Sequence, residues 1–267
     1  MEHPTDSSAP RVPSESLALP GGGLMPLLGF GTWQLTGDSC RQSTVTALKA
    51  GYRHLDTATM YANEREVGAA VRESGVPRED IFLTTKLPPD RVGVERETLE
   101  QSLEQLGVDN VDLWLVHWPP VEESGVDVWR AFLDAQQQGL ARDIGVSNYS
   151  RAQLDELAAA TGVMPAVNQI KWSPLLFNAE RLAAHRERGV VLEGYSALRG
   201  GTLDHPVITS IAEAIGRTPA QVIIRWHLQH QVVVIPRSSV AERVRANADV
   251  GGFVLSDEQM RQLDSLG

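Results

Sequence analysis

The chain has 267 residues, 42% of them hydrophobic, so it is long enough to bury a sizeable core as one α/β barrel or as two small domains. Its formal net charge of −10 argues against a general nucleic-acid surface, which needs clustered Lys and Arg to neutralise phosphates. One cysteine, Cys40, excludes an intramolecular disulfide framework, and no stretch is apolar enough to span a bilayer. We expect a cytoplasmic protein.

The N-terminal segment is polar and rich in proline. Residues 1–16 (MEHPTDSSAPRVPSES) contain no apolar run, which predicts a disordered leader before a single domain over residues 17–267. Two small apolar runs, residues 17–19 and 24–27, flank a Pro-Gly-Gly-Gly spacer. This arrangement predicts a short hairpin at the start of the domain.

From residue 28 onward, short apolar runs alternate with longer amphipathic ones. Leu99, Leu103 and Leu106 recur at helical one-face spacing, and capping boxes at residues 150–153, 218–221 and 256–259 predict three helix starts. Eight strands and intervening helices, without a composition shift, predict a single α/β (β/α)8 TIM barrel whose bottom is capped by the hairpin. The predicted strands are residues 28–32, 54–56, 81–86, 111–117, 143–147, 166–170, 190–195 and 232–235.

A doubly wound sheet is the alternative fold. Such a sheet usually carries G-x-G-x-x-G after its first strand. Here the first strand gives Gly-Phe-Gly-Thr-Trp-Gln at residues 29–34, which lacks the third glycine and places a bulky Trp in the turn. The barrel is therefore favoured.

Polar residues end three consecutive predicted strands. Asp56, Lys86 and His117 stand at these ends, and Tyr61 follows Asp56 in the next loop. Each alone has an ordinary explanation: a helix cap, a surface lysine, a hydrogen-bonded core histidine and a loop aromatic. Because the carboxyl ends of barrel strands face the active site, the four together indicate a catalytic group.

The four residue types also suit one chemistry. A buried lysine and a buried aspartate are each costly alone and are tolerated as a pair. The ammonium of such a pair favours a neighbouring phenolate, so we expect the pKa of Tyr61 to lie below its usual value of about 10. Tyr61 then donates a proton to a developing alkoxide, and His117 supplies a second donor to the substrate oxygen.

Several segments resemble the aldo-keto reductase family, in particular its prokaryotic 2,5-diketo-D-gluconate reductase-like members. The matching segments keep the family's order and cover nearly all of the chain after residue 16. They are GFGTWQL at 29–35, GYRHLDTATMY at 51–61, FLTTKL at 82–87, VDLWLVHWP at 111–119, IGVSNY at 144–149, VNQI at 167–170, GYSAL at 194–198 and IPRSSVAERVRAN at 235–247. The resemblance implies a (β/α)8 barrel that reduces aldehydes or ketones with NADPH, and a tetrad of Asp56, Tyr61, Lys86 and His117.

The resemblance also implies cofactor contacts. Ser147, Asn148 and Gln169 resemble the residues that hold the nicotinamide carboxamide, and Tyr195 resembles the residue that stacks on the ring. Arg237 and Arg243 flank the start of the last barrel helix, where a dianion meets backbone N–H groups and guanidinium forks, and this favours NADP over NAD. The full predicted set is Gly31, Thr32, Ser147, Asn148, Gln169, Tyr195, Ser196, Leu198, Arg237, Ser238, Arg243 and Asn247.

Trp33 and Trp118 are expected to line a pocket for a small carbonyl substrate. We expect neither nucleic acid nor a membrane as a partner. We expect the active protein to be a monomer. Two other functions stay open. One is a non-catalytic NADPH-binding redox sensor or regulatory subunit on the same fold. The other is a metal-dependent barrel hydrolase, which the sequence disfavours because it lacks a His-x-His pair, so no metal is expected.

Overall fold

The strands run in one direction around a barrel. The structure is a computed structural model, and it describes residues 10–120 and 125–267. A two-stranded antiparallel hairpin comes first, with β1 (Ser16–Ala18) paired to β2 (Leu24–Pro26). The parallel strands are β3 (Phe30–Gly31), β4 (His54–Asp56), β5 (Phe82–Leu87), β6 (Val111–Val116), β7 (Ala141–Ser147), β8 (Val167–Lys171), β9 (Val191–Tyr195) and β10 (Val233–Val234).

The eight parallel strands follow chain order and then close on themselves. Each strand from β3 to β10 pairs with the next one. Leu28, just before β3, bridges Val234 in β10, and the Gly29 N–H donates to the Val234 carbonyl at 2.9 Å. The ring also needs Gly31, because a Cβ there would lie 2.7 Å from the Ile235 carbonyl oxygen. The predicted (β/α)8 barrel is confirmed.

Helices surround the barrel and connect its strands. Three of them begin with the predicted capping boxes, in which Ser150, Thr218 and Ser256 each accept a hydrogen bond from the backbone N–H three residues later. The helices are α1 (Gly37–Lys49), α2 (Glu64–Ser74), α3 (Glu95–Leu106), α4 (Val126–Gln137), α5 (Arg151–Thr161), α6 (Ala179–Glu187), α7 (Pro206–Ile215), α8 (Pro219–Gln229), α9 (Ala241–Ala248) and α10 (Asp257–Asp264). Among the described helices, none is long and apolar enough to cross a membrane.

The core fills the barrel and the layer between the strands and the helices. Every residue of β5 and of β6 is buried, as strands covered on both faces require. Trp114 of β6 points outward and stacks on Phe132 of α4, with ring centroids 3.6 Å apart. This packing fixes α4 against the strand whose end carries His117.

The hairpin lies at the bottom of the barrel, as predicted. Its turn is held by Asp143, near the start of β7, whose carboxylate accepts the N–H groups of Gly21 at 2.6 Å and of Gly23 at 3.0 Å. Neither glycine tolerates a side chain here, because a Cβ would lie within 2.7 Å of an Asp143 carboxylate oxygen. The hairpin is therefore at the end opposite to the strand termini that carry the candidate catalytic residues.

The predicted disordered leader over residues 1–16 differs from the structure at its C-terminal part. Arg11 donates its N–H to Asp249 and accepts one from Gly251, and Val12 lies against Gly51. These contacts tie residues 11 and 12 to the barrel. Residues 1–9 of the predicted leader lie outside the described residues.

Candidate active site

Asp56 and Lys86 form a buried ion pair at the carboxyl ends of β4 and β5. The Lys86 Nζ donates to both carboxylate oxygens of Asp56 at 2.7 Å, and the two side chains are at most 2% exposed. A third hydrogen bond of Nζ goes to the Thr57 carbonyl at 2.9 Å. Burial lowers the pKa of Lys86, but the charges of Asp56 and its other neighbours and the hydrogen bond to Asp56 together outweigh burial, so the net direction is upward. The ammonium is therefore kept charged.

Tyr61 lies next to this pair, at the end of a short 3-10 helix (Thr59–Tyr61). Its Oη is 3.5 Å from the Lys86 Nζ, and the ammonium is 5.1 Å from the ring centroid. The expected downward shift of the pKa of Tyr61 is wrong for this state of the molecule: burial raises the pKa above its usual value, and the charge of Lys86 only partly offsets this. The phenol consequently keeps its proton at neutral pH.

His117 follows the last residue of β6 and faces Tyr61. The two rings are perpendicular, with centroids 5.7 Å apart. Burial, and next the charge of Lys86, lowers the pKa of His117 to about 3, so the imidazole is neutral. Its Nδ1 is buried without a hydrogen-bond partner among the described residues. Because only one nitrogen of a neutral imidazole carries a proton, the His117 ring donates a single hydrogen bond at a time.

These side chains stand at the floor of a cavity of about 940 Å³. Nearly all predicted site residues line this cavity together, although they come from distant parts of the chain. Two do not: Lys86 lies behind Asp56, and the Thr32 hydroxyl is turned away to donate to the Asp56 carbonyl at 2.9 Å. The lining ones are Gly31, Trp33, Asp56, Tyr61, His117, Trp118, Ser147, Asn148, Gln169, Tyr195, Ser196, Leu198, Arg237, Ser238, Arg243 and Asn247.

A chain of hydrogen bonds joins the polar residues at the ends of β7, β8 and β9. The Tyr195 hydroxyl donates to the Asn148 Oδ1 at 2.8 Å, and the Ser147 hydroxyl donates to the Gln169 carbonyl at 2.8 Å. The Gln169 amide donates in turn to Asp56 at 2.8 Å. Gln169 therefore connects the polar residues at these strand ends to the Asp56–Lys86 ion pair.

Three arginines line one wall of the cavity. Arg199 follows β9, Arg237 follows β10 and Arg243 lies on α9, and all three line the cavity. Arg199 and Arg237 both donate to the same Gln34 Oε1 at 2.9 Å, and burial together with Arg199 lowers the pKa of Arg237. Within the described residues, none of the three forms an ion pair with a carboxylate. The wall thus concentrates positive charge on an acidic protein.

The sequence interpretation missed several lining residues. Arg199, Leu203 and Asp204 belong to the connection after β9, where Gly200 and Gly201 interrupt any periodic pattern. The Thr-Pro-Ala start of α8 at residues 218–220 also lines the cavity and was predicted only as a helix cap. Loops of this kind show no hydrophobic periodicity, so the basic residue and the proline are the only features of the sequence that indicate a binding role there.

Strained backbone is concentrated around the cavity. Among the described non-glycine residues, five have positive φ, and three of these stand at the strand ends or loops of the site: Gln34 at 63°, Asn148 at 65° and Ser196 at 57°. A fourth, Ala62 at 53°, directly follows Tyr61. Such conformations persist only where the surrounding structure holds them, and they cluster at functional sites.

The outer part of the cavity is aromatic and open. Trp33 and Trp118 are 44% and 45% exposed, and Met60 is 54% exposed. The Arg199 guanidinium lies 4.6 Å above the Trp33 ring, a cation–π contact. Leu87, the last residue of β5, is only 1% exposed and belongs to the core. Within the described residues, no group of three or more His, Cys, Asp or Glu is arranged to hold a metal ion.

Known proteins share this arrangement over most of the chain. The profile of the Aldo/keto reductase family matches residues 27–267. An aldo-keto reductase from Mycolicibacterium vanbaalenii is 47% identical, with 91% of this chain and 88% of that protein covered. A Pseudomonas putida protein named morphine 6-dehydrogenase is 43% identical, with 91% and 88% covered.

A solved structure agrees as well. The crystal structure of an aldo/keto reductase from Brucella melitensis superposes with a TM-score of 0.91 at 38% identity, and the alignment covers 96% of this chain and all of that one. The family consists of oxidoreductases that act on small carbonyl compounds. With a match over nearly its whole length, this chain belongs to the aldo/keto reductase family.

Proposed function

We propose that the protein is an NADPH-dependent carbonyl reductase that converts aldehydes or ketones to alcohols, with Tyr61 as the general acid. The observation that carries this proposal is the buried Lys86–Asp56 ion pair beside the Tyr61 hydroxyl at the floor of the cavity. Reduction adds a hydride to the carbonyl carbon and a proton to its oxygen. A reduced nicotinamide held by the cavity residues would supply the hydride, and the chain supplies the proton.

Tyr61 holds this proton in a suitable state. Burial keeps the phenol protonated, while the Lys86 ammonium stabilises the phenolate that forms as the proton moves to the substrate oxygen. Asp56 holds the ammonium in place with two 2.7 Å hydrogen bonds. The ion pair therefore makes proton loss from the phenol easier at the moment when the alkoxide develops.

His117 is placed to orient the substrate. Its neutral ring faces the Tyr61 ring across 5.7 Å, so one carbonyl oxygen can approach both side chains from the cavity. A neutral imidazole donates a hydrogen bond without competing for the proton that Tyr61 gives. Preorganised donors of this kind stabilise the charge that builds up on the oxygen.

The residues around the cavity fit a dinucleotide with an additional phosphate. Ser147, Asn148 and Gln169 offer amide and hydroxyl groups to a carboxamide near the ion pair, and Tyr195 offers an aromatic face. Arg237 and Arg243 offer guanidinium forks that match a phosphate dianion, which supports NADPH over NADH. The clustering of these arginines without carboxylate partners in the described residues supports an anion at this wall.

The substrate we propose is an apolar or flat carbonyl compound, accepted with broad tolerance. Trp33, Trp118 and Met60 form an exposed wall rather than a closed pocket. The name of the Pseudomonas putida relative, morphine 6-dehydrogenase, supports a polycyclic alcohol or ketone as one substrate. Steady-state kinetics over a panel of aldehydes, ketones and diketones tests this, and strict preference for one large substrate would contradict it.

The proposed chemistry is tested by replacing Tyr61 with Phe. We expect Tyr61→Phe to bind NADPH with unchanged affinity in a fluorescence titration and to lose about 10²- to 10⁴-fold in kcat, because only the proton donor is removed. Tyr149→Phe is the matched control, since the Tyr149 hydroxyl is buried outside the cavity lining and has no hydrogen-bond partner among the described residues. Undiminished turnover of Tyr61→Phe would show that another acid operates.

The same measurements separate an enzyme from a sensor. If the unmodified protein binds NADPH tightly but oxidises it with no member of the carbonyl panel, the alternative of a non-catalytic redox sensor gains support. The Tyr61, Lys86 and Asp56 arrangement supports the enzyme instead, because a buried ion pair beside a phenol has no obvious use in nucleotide binding alone.

We also propose that the protein works as a cytoplasmic monomer. All residues assigned to the site come from one chain, which supports a monomer as the active unit. Its single cysteine, Cys40, is a buried free thiol, which fits a reducing compartment. Light scattering coupled to gel filtration tests the monomer, and cell fractionation tests the location.

A further inference from the structure

A chain of hydroxyl groups lies behind the catalytic group, outside the residues that line the cavity. The Thr59 Oγ1 is 2.9 Å from the Lys86 carbonyl oxygen and 3.0 Å from the Ser102 Oγ. The Ser102 Oγ in turn is 3.0 Å from one carboxyl oxygen of Glu64. The other carboxyl oxygen accepts a hydrogen bond from the Thr85 hydroxyl at 2.5 Å. Since Glu64, Thr85 and Ser102 are at most 1% exposed, the chain runs through the protein interior.

The chain joins the helix that carries Tyr61 to the strand that carries Lys86. Thr59 is the first residue of the 3-10 helix that ends at Tyr61, and Lys86 lies in β5. Ser102 belongs to α3, and Glu64 is the first residue of α2. The Tyr61 Oη and the Lys86 Nζ are 3.5 Å apart, so their own contact is long for a hydrogen bond and constrains the phenol weakly. The 2.9 Å link from Thr59 is the shorter of these two connections.

The Thr59 hydroxyl takes the place of a strand partner for the Lys86 carbonyl. The strand β4 ends at Asp56, and the next N–H, that of Thr57, still donates to the Thr84 carbonyl at 3.0 Å. Carbonyl groups two residues apart point to the same side of a strand, so the Lys86 carbonyl faces the segment that follows β4. The chain therefore begins where the regular pairing of β4 with β5 stops.

The number of hydrogen atoms in the chain indicates the protonation state of Glu64. Three contacts lie in series between the Glu64 carboxyl and the Lys86 carbonyl, and each needs one hydrogen. Thr59 and Ser102 supply one hydrogen each, and the Lys86 carbonyl supplies none. The third hydrogen then comes from Glu64, which donates to Ser102, while Ser102 donates to Thr59. With Glu64 ionised, one contact would bring two oxygens together without a hydrogen between them.

The surroundings of Glu64 also favour its neutral form. Burial raises the pKa of Glu64, and this effect outweighs the hydrogen bonds from Thr85 and Ser102 and the charge of Lys86, which lower it. Although Glu64 begins α2, its carboxyl accepts no backbone N–H group among the described residues. The start of the helix therefore offers an ionised Glu64 no direct hydrogen bond.

We propose that Glu64, Ser102 and Thr59 are positioning residues of the catalytic group: a neutral Glu64 donates the first hydrogen bond of the chain, and the chain holds the helix of Tyr61 against the strand of Lys86. None of the three is among the described residues that line the cavity, so they act on the reaction through Tyr61 and Lys86. Without the chain, the phenol loses its fixed place beside the ammonium, and a displaced acid transfers its proton more slowly.

Infrared spectroscopy tests the protonation of Glu64 without cofactor or substrate. Near neutral pH, we expect Glu64→Gln to lose a carbonyl-stretching band of a protonated carboxylic acid that the unmodified protein shows. The matched control is Glu104→Gln, at an exposed glutamate of α3, which should lose only carboxylate absorption. An unchanged protonated-acid band in Glu64→Gln would overturn the proposal.

Hydrogen exchange tests whether the chain holds the helix. In Thr59→Val, which keeps the shape of the side chain but lacks the hydroxyl, we expect faster exchange of the Tyr61 and Ala62 N–H groups, which are hydrogen-bonded within this turn. Thr44→Val is the matched control, since the buried Thr44 hydroxyl donates to a carbonyl of its own helix, α1. Exchange equal to that of the unmodified protein, or an increase spread evenly over the barrel, would overturn the proposal.

The reaction supplies another readout, which rests on the proposed function. We expect Thr59→Val, Ser102→Ala and Glu64→Met each to lose about 10- to 100-fold in kcat with unchanged NADPH affinity, because the acid is displaced while the cofactor contacts remain. Thr59→Ser keeps the hydroxyl, and Glu64→Gln keeps one donor and one acceptor, so both should recover most of this loss. A loss in Glu64→Gln as large as that in Glu64→Met would overturn the proposal.

Two features keep these outcomes separable. If Glu64→Met fails to fold, the half-buried Thr59 provides the same comparison through Thr59→Val and Thr59→Ser. Because the infrared and exchange measurements need neither cofactor nor substrate, failure of the proposed reductase activity is distinguishable from failure of this inference.

Discussion

At the level of single residues, arginines line the cavity although the protein as a whole carries a net negative charge. Arg199, Arg237 and Arg243 line one wall of the cavity, whereas the formal net charge is −10. Like charges as close as those of Arg199 and Arg237, which share the Gln34 Oε1, raise the free energy of the protein without a ligand, and a bound phosphate lowers it. The arrangement therefore favours a ligand that carries phosphate at this wall and its reactive end near Tyr61.

The phosphate assignment predicts a selective loss. We expect the double variant Arg237→Ala, Arg243→Ala to weaken NADPH binding by about 10²- to 10⁴-fold, because it removes two charge-assisted hydrogen bonds that contribute about 1.5–3 kcal/mol each. NADH binding should weaken much less, and Arg130→Ala, an exposed arginine on α4, should change neither. Fluorescence titrations measure both affinities, and equal losses for the two nucleotides would remove the assignment.

The sequence identified the residues whose chemistry is visible in their type and position. Asp56, Lys86 and His117 stand at the ends of apolar runs, and this was sufficient to place them at one end of a barrel. The electrostatic balance was beyond the sequence: the pKa of Tyr61 rises because burial outweighs Lys86, and burial depends on tertiary packing.

At the level of secondary structure elements, strand positions were predictable and connections were not. The predicted strands overlap all eight observed ones, because buried parallel strands read as continuous apolar runs. Their ends differ by at most two residues, as in β3, where pairing to the neighbour stops before the apolar run does. The connection after β9 gave no periodic signal, and it was there that Arg199 and Asp204 were missed.

The hairpin predicts a stability effect without an activity effect. Asp143→Ala leaves the N–H groups of Gly21 and Gly23 without their acceptor, so we expect the free energy of unfolding to fall by about 1–3 kcal/mol. Because the hairpin lies at the bottom of the barrel, kcat/KM should be retained. Urea denaturation and steady-state assays measure the two quantities, with the exposed Asp127→Ala as control. Loss of activity in the folded variant would contradict this separation.

At the level of the whole molecule, buried neutral histidines predict sensitivity to acid. Burial lowers the pKa values of His54 and His227 to about 4 and that of His117 to about 3. In the unfolded chain they ionise near pH 6.5, so the unfolded state takes up protons first. The stability they contribute is complete above about pH 6.5 and decreases as the pH falls towards 4. Glu193, with its raised pKa, acts in the opposite direction.

We therefore expect the free energy of unfolding to fall from pH 7 to pH 5, with a smaller fall in His227→Gln, which removes one of the three groups without touching the cavity. Urea denaturation at the two pH values measures the difference. The readout is the change in the free energy of unfolding between the two pH values, because His227→Gln can lower this free energy at both of them. An equal fall in both proteins would show that His227 does not contribute.

Closure of the ring has a consequence for synthesis on the ribosome. The first parallel strand pairs with the last one, so residues near position 30 wait for residues near position 234 to emerge. Until then the nascent sheet presents unpaired backbone groups at its growing edge and at the strand made first, and such edges invite association with other chains. Chaperone capture of nascent chains should accordingly cease only once translation has passed this last pairing segment.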